Sequence, residues 1–125
     1  MQYLKSNKYY FLCLSFVFFL LDQLSKYLIN INFKNIVNKN FFLFSISKVK
    51  NFGAAFNILS GNRFFLSIIS LAISIVLIYM ILEKINTRNI DLYSYSFILG
   101  GTLGNGIDRI FKGYVLDFIN LNFVN

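Results

Sequence analysis

The sequence predicts an all-α membrane protein with three transmembrane helices. Of its 125 residues, 57% are hydrophobic and sixteen are phenylalanine. The apolar residues lie in long runs, whereas a soluble domain of this length needs more polar surface. The length suits a single domain, which we assign to residues 1–125.

Three apolar runs give the predicted spans, 9–31, 64–82 and 92–110. The first has 23 residues, enough for a bilayer core of ~30 Å at ~1.5 Å per residue. A cleaved signal peptide also begins with charges and an apolar stretch, but no small-x-small cleavage site follows here, so we expect a retained helix. In the third run, Gly100 and Gly104 have the spacing that lets two helix backbones approach closely.

The segment between the first two spans, residues 32–62, reads as an extramembrane insert. Phe44–Ser47 alternates with period two, which predicts a short β-element. The uncharged stretch Gly53–Leu59 is too short to span a bilayer. It predicts an interfacial helix or a re-entrant piece packed on protein.

The composition excludes several kinds of site. The chain has no histidine and one cysteine, Cys13, which rules out a Ser–His triad, histidine-ligated zinc and a disulfide within the chain. Its 12 cationic and 5 acidic residues give a formal charge of +7. The cations lie scattered at the ends of apolar runs, which favours contact with anionic lipid head groups over nucleic acid.

Two polar features precede the second span. Asp22 and Lys26 lie four residues apart, with the acid first, which is the favourable order for a helical ion pair. We interpret this pair as a structural clamp near the end of the first helix. Asn51 precedes a turn of small residues in which Gly53 permits unusual backbone angles. Binding of a peptide backbone by this asparagine is one of several possibilities.

Two acids near the end of the sequence, Asp108 and Asp117, are candidates for chemistry because a buried carboxylate is usually paired or functional. On one continuous helix they would lie ~13.5 Å apart in rise and on opposite faces. Gly113 is a predicted helix end, yet we do not expect the two acids to pair. Arg109 diverges from Asp108 by ~100° and points toward another helix or a substrate.

Four motifs make the chain resemble the lipoprotein signal peptidases (signal peptidase II), which are bacterial inner-membrane aspartic peptidases. The motifs are Asp22–Lys26 (DQLSK), Asn51–Phe56 (NFGAAF), Gly100–Arg109 (GGTLGNGIDR) and Gly113–Phe118 (GYVLDF). They match the family patterns DQxSK, NxGAAF, GGxxGNxxDR and GxVxDF in order and spacing. The resemblance covers essentially the whole chain.

The resemblance implies a four-helix membrane bundle with a small β-element and an interfacial helix, and no metal or organic cofactor. The implied reaction removes signal peptides from prolipoproteins, just before a cysteine that carries a diacylglyceryl group. The implied partners are this lipidated substrate and membrane lipids, with no nucleic acid, and we expect a monomer. Both termini would be cytoplasmic and the insert would face outward, although the lysines of the insert slightly favour the reverse.

The resemblance also implies roles for individual residues. Asp117 matches the first of the two catalytic aspartates. Matches to substrate-binding positions are Asn51, Gly53, Asn105 and Arg109. Matches to structural positions are Asp22, Lys26 and Asp108.

One family feature is absent from the 125 residues. The second catalytic aspartate belongs to an FNxAD motif at the start of the fourth helix, and no such motif follows Asp117. We expect a signal peptidase II-type enzyme whose sequence is truncated or frameshifted, or whose second catalytic aspartate is supplied by another chain. The alternatives are an inactive remnant that binds lipopeptide and, apart from the resemblance, a small cationic membrane assembly protein.

Overall fold

The computed structural model describes residues 7–32, 41–54, 58–83 and 87–121. These residues form three helices and two strands. The helices are α1 (Lys8–Ile31), α2 (Arg63–Glu83) and α3 (Asn89–Phe111), and the strands are β1 (Phe44–Asn51) and β2 (Val115–Leu121). The predicted mostly helical architecture is confirmed.

Two of these helices, α1 and α2, are long and apolar enough to cross a bilayer. Large apolar side chains cover their outer faces. On α2, for example, Ile68, Leu71 and Ile75 are each about 60% exposed. Such a surface suits lipid rather than water. The helix α3 has a comparable length, 23 residues, but it contains more polar residues. That α3 crosses the membrane stays a prediction.

The helix starts are fixed by polar side chains. Before α1, the Asn7 side chain accepts a hydrogen bond from the backbone N–H of Tyr9 at 3.0 Å. Before α3, the Asp91 carboxylate accepts the backbone N–H of Arg88 at 3.2 Å. The side-chain hydrogen bond from Arg88 also lowers the pKa of Asp91 below its ordinary value. These contacts satisfy N–H groups that have no partner inside a helix.

The helix α3 packs against both α1 and α2, which contact each other much less. At the end where α1 begins, apolar side chains from all three helices form a core of Phe11, Leu77, Ile81, Leu92 and Leu99. Toward the other end, glycines replace bulky residues along α3. This change lets the helices approach closely where the polar residues lie.

The close approach predicted for Gly100 and Gly104 is confirmed. A Cβ atom on Gly100 would lie 2.6 Å from Cβ of Phe18 and 2.7 Å from the carbonyl oxygen of Ser15. A Cβ atom on Gly104 would collide with the carboxylate of Asp22. Both positions therefore face the backbone of α1 or its charged side chain with no room for a methyl group.

The helix α3 ends as predicted near Gly113. Its last helical residue is Phe111, and Gly113 takes a positive φ of 82°, a conformation that favours glycine. The chain then turns into β2, which pairs antiparallel with β1, with Asn51 opposite Val115 and Val49 opposite Asp117. The strand predicted at Phe44–Ser47 is present and extends to Asn51, whereas β2 was not predicted.

The interfacial helix predicted for Gly53–Leu59 is not seen in the described part of the insert. Residues 55–57 lie outside the described residues. On either side of them, residues 53–54 and 58–61 form bends and turns. Ala54 donates its backbone N–H to the carbonyl of Ile58 at 2.7 Å, and Leu59 takes a positive φ of 58°. In this hydrogen bond the earlier residue donates to the later one, which is the reverse of the α-helical pattern.

The substitution Gly100→Ala tests the contact between α1 and α3. Because the new methyl group meets backbone atoms, the two helices must separate, and we expect a loss of about 1–3 kcal/mol. The matched control is Gly101→Ala, one residue along, where a Cβ atom meets nothing within 4 Å. Thermal unfolding in detergent, followed by circular dichroism, compares the two. Equal melting temperatures for both variants would contradict the close contact.

Candidate active site

A buried ammonium joins α1 to α3. Lys26 Nζ lies 2.7 Å from an oxygen of Asp22 on its own helix, 2.7 Å from an oxygen of Asp108 on α3 and 3.0 Å from Oδ1 of Asn105. The side chain of Lys26 is 4% exposed and that of Asp108 is fully buried. All three ammonium donors therefore have an acceptor, which a buried cation requires. The predicted pairing of Asp22 with Lys26 is confirmed.

A second lysine completes the partners of Asp108. Lys112 Nζ lies 2.7 Å from the other oxygen of Asp108, so each carboxylate oxygen faces one ammonium. Gln23 donates to Asp22 at 3.1 Å and reaches the carbonyl of Gly104 at 3.4 Å. We call Asp22, Gln23, Lys26, Asn105, Asp108 and Lys112 the ion network. Its geometry supports a structural role for Asp108.

Sequence reasoning missed two members of the ion network, Gln23 and Lys112. Lys112 follows Asp108 by four residues, the same favourable acid-first order as in the first pair, so this signal was available. Gln23 stands inside the DQLSK motif. Gln23 and Gly104 lie 81 positions apart in the sequence. Their contact depends on the approach of α1 to α3, and no local sequence pattern reveals it.

On the ribbon of β1 and β2, an exposed carboxylate meets a fixed amide. The Oδ1 of Asn51 accepts the backbone N–H of Gly53 at 2.9 Å, so its Nδ2 group must point the other way. That group donates to Oδ2 of Asp117 at 2.9 Å and approaches the carbonyl of Ala54 at 3.4 Å. The turn at Gly53 therefore sets the orientation of the amide that holds Asp117.

Arg109 links α3 to the same turn. Its Nη2 donates to the carbonyl of Gly53 at 2.9 Å, and its Nη1 reaches the carbonyl of Asn105 at 3.4 Å. Its Nε is buried and has no hydrogen-bond partner among the described residues. As the sequence predicted, Arg109 points away from Asp108, which faces Lys26 and Lys112.

The predicted site residues therefore fall into two groups. Asn51, Gly53, Arg109 and Asp117 come together at the ribbon. Asn105 instead turns its side-chain oxygen to Lys26 inside the ion network. Within the described part of the chain, no group of three acidic or cysteine side chains is arranged to hold a metal ion.

Comparison with known proteins places this arrangement in a family. The family model described as signal peptidase (SPase) II matches residues 14–125. The chain belongs to the signal peptidase II family. Lipoprotein signal peptidases of Pasteurella multocida, Francisella tularensis subsp. novicida and Buchnera aphidicola subsp. Schizaphis graminum are 38%, 39% and 40% identical to it. These alignments cover 88%, 100% and 94% of this chain and 70%, 81% and 80% of the relatives.

Solved structures agree with the family assignment. Two structures described as a bacterial membrane enzyme determined by the in meso method match with TM-scores of 0.75 and 0.71, each at 31% identity. Each match covers 90% of this chain, and the matches cover 70% and 74% of the solved chains. Members of the signal peptidase II family are peptidases, so the chain is an enzyme of the protease class.

The substitution Lys26→Met tests the ion network. It removes a buried cation and leaves Asp22 and one oxygen of Asp108 without a charged partner, so we expect a loss of about 3–5 kcal/mol. The matched control is Arg88→Met, which breaks the Arg88–Asp91 pair at a position where the arginine is 78% exposed. That change should leave the melting temperature almost unmoved. A small loss for Lys26→Met would show that the network does not hold the helices together.

Proposed function

We propose that this protein is a membrane aspartic endopeptidase that removes signal peptides from diacylglyceryl-modified prolipoproteins. The relatives named above are lipoprotein signal peptidases. The single observation in the structure that carries the proposal is the hydrogen bond from Asn51 to Asp117. It presents an exposed carboxylate in a fixed orientation beside Gly53 and Arg109, at the ribbon end of the helices.

Asp117 is proposed to act as the acid–base residue. Its Oδ2 is held by Asn51, which leaves Oδ1 to take a proton from the attacking water. A general base must lie within hydrogen-bond reach of the proton that it removes, and the exposed position of Asp117 gives a substrate and water access. Arg109, which donates to the carbonyl of Gly53, adds a positive charge that attracts this carboxylate.

An aspartic peptidase needs a second carboxylate, which shares a proton with the first and polarises the scissile carbonyl. The other four acids of the sequence do not fit this role. Asp22 and Asp108 are bound by lysine. Asp91 lies seventeen residues before Asp108 on α3, which is ~25 Å along the helix. Glu83 is the last residue of α2 and lies ~30 Å along the helix from Arg63 at its start. The Arg63 side chain lies beside Gly113, at the ribbon end.

We therefore propose that the second carboxylate comes from outside residues 1–125. In the family pattern it stands in the FNxAD motif at the start of a fourth helix. The relatives that match this chain are longer than it is, since the alignments cover 70–81% of them. A segment of a relative that carries this motif can supply the missing acid in an experiment.

The proposed placement in the membrane has α1, α2 and α3 crossing the bacterial inner membrane as a monomer. The start of α1, the end of α2 and the start of α3 share one side, because Phe11, Ile81 and Leu92 belong to one core cluster. The ribbon and the ion network lie at the other end. We assign that end to the outer face, where a lipidated prolipoprotein presents its cleavage site.

The substitution Asp117→Asn tests the proposed mechanism. A suitable assay follows cleavage of a diacylglyceryl-modified prolipoprotein by the membrane-inserted chain, alone and extended by the FNxAD-bearing segment of a family member. We expect cleavage with the extension and a loss of at least ~100-fold in Asp117→Asn, because general acid–base catalysis contributes about 10²–10⁴-fold. Glu83→Gln, which removes a carboxylate at the far end of α2, is the matched control.

The outcomes of this assay separate the proposals. Cleavage that survives Asp117→Asn would overturn the role of Asp117. Cleavage by residues 1–125 without the extension would overturn the external origin of the second acid. If the extended chain binds the lipidated substrate without cutting it, the protein is a binding remnant rather than an enzyme.

Substitutions of Asn51 test whether this residue orients Asp117. Asn51→Ala removes the hydrogen bond, and a loss of about 1–3 kcal/mol of transition-state stabilisation corresponds to a fall of ~10–100-fold in kcat. Asn51→Asp instead places a second carboxylate beside Asp117. Because two adjacent carboxylates resist joint ionisation, the acidic limb of the pH–kcat profile should move to higher pH.

The control for Asn51 is Asn62→Ala, a change at an exposed asparagine just before α2. It should alter neither kcat nor the pH profile. A pH profile that stays fixed in Asn51→Asp would show that residue 51 does not act on the titrating acid, even if activity falls.

A further inference from the structure

A cationic cleft lies between the end of α1 and the turn that joins α3 to β2. Its volume is about 340 Å³, and its walls include Tyr27, Asn30, Lys112 and Tyr114. This volume suits a small ligand. The proposed peptidase chemistry does not use this cleft, because Asp117 contacts Asn51 on the ribbon and does not line it.

Lysines of β1 and the lysine that follows α3 lie at this cleft or contact the residues that line it. On β1, Lys48 donates to the side-chain oxygen of Asn30, and Lys50 Nζ lies 4.8 Å from the ring centre of Tyr114. Lys112 follows α3 and is 45% exposed. Among the described residues, its Nζ has one hydrogen-bond acceptor, Asp108, and an ammonium has three donors. Lys112 therefore has donors to offer to a ligand in the cleft.

The positive charge at the cleft exceeds the negative charge. Four lysines meet two carboxylates in this region, namely Lys26, Lys48, Lys50 and Lys112 with Asp22 and Asp108. Both carboxylates are bound by ammonium groups of the ion network. The excess of two positive charges is therefore available to an anion that enters the cleft.

An apolar stripe lies beside the cleft, on the same turns of α1. Leu24, Leu28 and Ile31 are 52%, 44% and 55% exposed, and their spacing places them on one helix face beside Tyr27. Tyr27, which lines the cleft, is itself 61% exposed. A tyrosine between an apolar stripe and a group of lysines has the position that aromatic residues favour at a membrane surface.

We propose that this cleft binds the phosphate group of an anionic phospholipid, whose acyl chains lie along the stripe of Leu24, Leu28 and Ile31. The lysines supply the charge, and Asn30 and the tyrosines supply polar contacts around the head group. The proposal depends on the membrane crossing of α1 that forms part of the proposed function. It does not depend on peptidase activity, so its test reads binding rather than cleavage.

The test measures the melting temperature of the purified chain in a neutral detergent with added lipid. A ligand that binds the folded state raises this temperature. We expect phosphatidylglycerol to raise it by several degrees and phosphatidylcholine, whose head group carries a compensating cation, to have much less effect. The double variant Lys48→Ala/Lys50→Ala should lose at least half of the shift, and Lys50→Arg should keep it. Native mass spectrometry counts the retained lipids in the same samples.

The matched control is Lys8→Ala at the opposite end of α1. Lys8 Nζ also lies over a tyrosine ring, 5.7 Å from the centre of Tyr9, so the change removes a similar cation–π contact and one charge. The Lys8→Ala variant should show the same lipid-induced rise in melting temperature as the unmodified chain. Equal losses in Lys8→Ala and the double variant would overturn the proposal, because the effect would then reflect overall charge.

Inorganic phosphate distinguishes the source of the ligand. If millimolar phosphate gives no shift while phosphatidylglycerol does, the site takes a lipid head group, as proposed. If phosphate alone gives the full shift and abolishes lipid retention, the cleft is a site for free phosphate and the lipid assignment is wrong. If neither ligand shifts the melting temperature or is retained, the proposal fails, while the proposed peptidase function stands on its own assay.

Discussion

The Lys26 ammonium, enclosed by Asp22, Asn105 and Asp108, is the interaction on which the rest of the structure depends. Removing charges from water costs several kcal/mol per ion, and close acceptors must repay this cost. Gly104 is required for this interaction, because a Cβ atom there would collide with the Asp22 carboxylate. The glycine brings the backbones together, and the ions then fix how α1 and α3 are aligned along their length.

The alignment of α3 in turn determines where the ribbon lies. Asp108 and Arg109 are neighbours, and their side chains leave the helix ~100° apart. Asp108 points inward to the lysines, so Arg109 reaches the carbonyl of Gly53. The turn at Gly53 orients Asn51, and Asn51 holds Asp117. Consecutive contacts thus connect the buried ion network to the exposed carboxylate of Asp117, and they pass through the backbone of the turn at Gly53.

Local patterns predicted much of this molecule, and long-range contacts account for what they missed. Helical periodicity, the Asp22–Lys26 spacing and Gly113 each depend on a few neighbouring residues, so the sequence reveals them directly. The strand β2 follows the end of α3 and reads as a short apolar run, and its partner β1 lies more than sixty residues earlier. Lys26 and Asp108 are 82 positions apart. Only the folded arrangement of the helices and the ribbon brings such residues together, and so Asn105 turned out to face Lys26.

The aspartates at the ribbon end have different partners, which separates the buried structural ions from the proposed acid–base group. At the ribbon end, Asp22 and Asp108 are bound by ammonium groups, which offset the free-energy cost of burying their charge. Asp117 has a neutral amide as its hydrogen-bond partner. An amide orients a carboxylate without adding a full positive charge, and the exposed side chain of Asp117 keeps its second oxygen accessible to water. The two lysine-bound acids therefore hold the helices together, and Asp117 presents the accessible carboxylate that the proposed acid–base role requires.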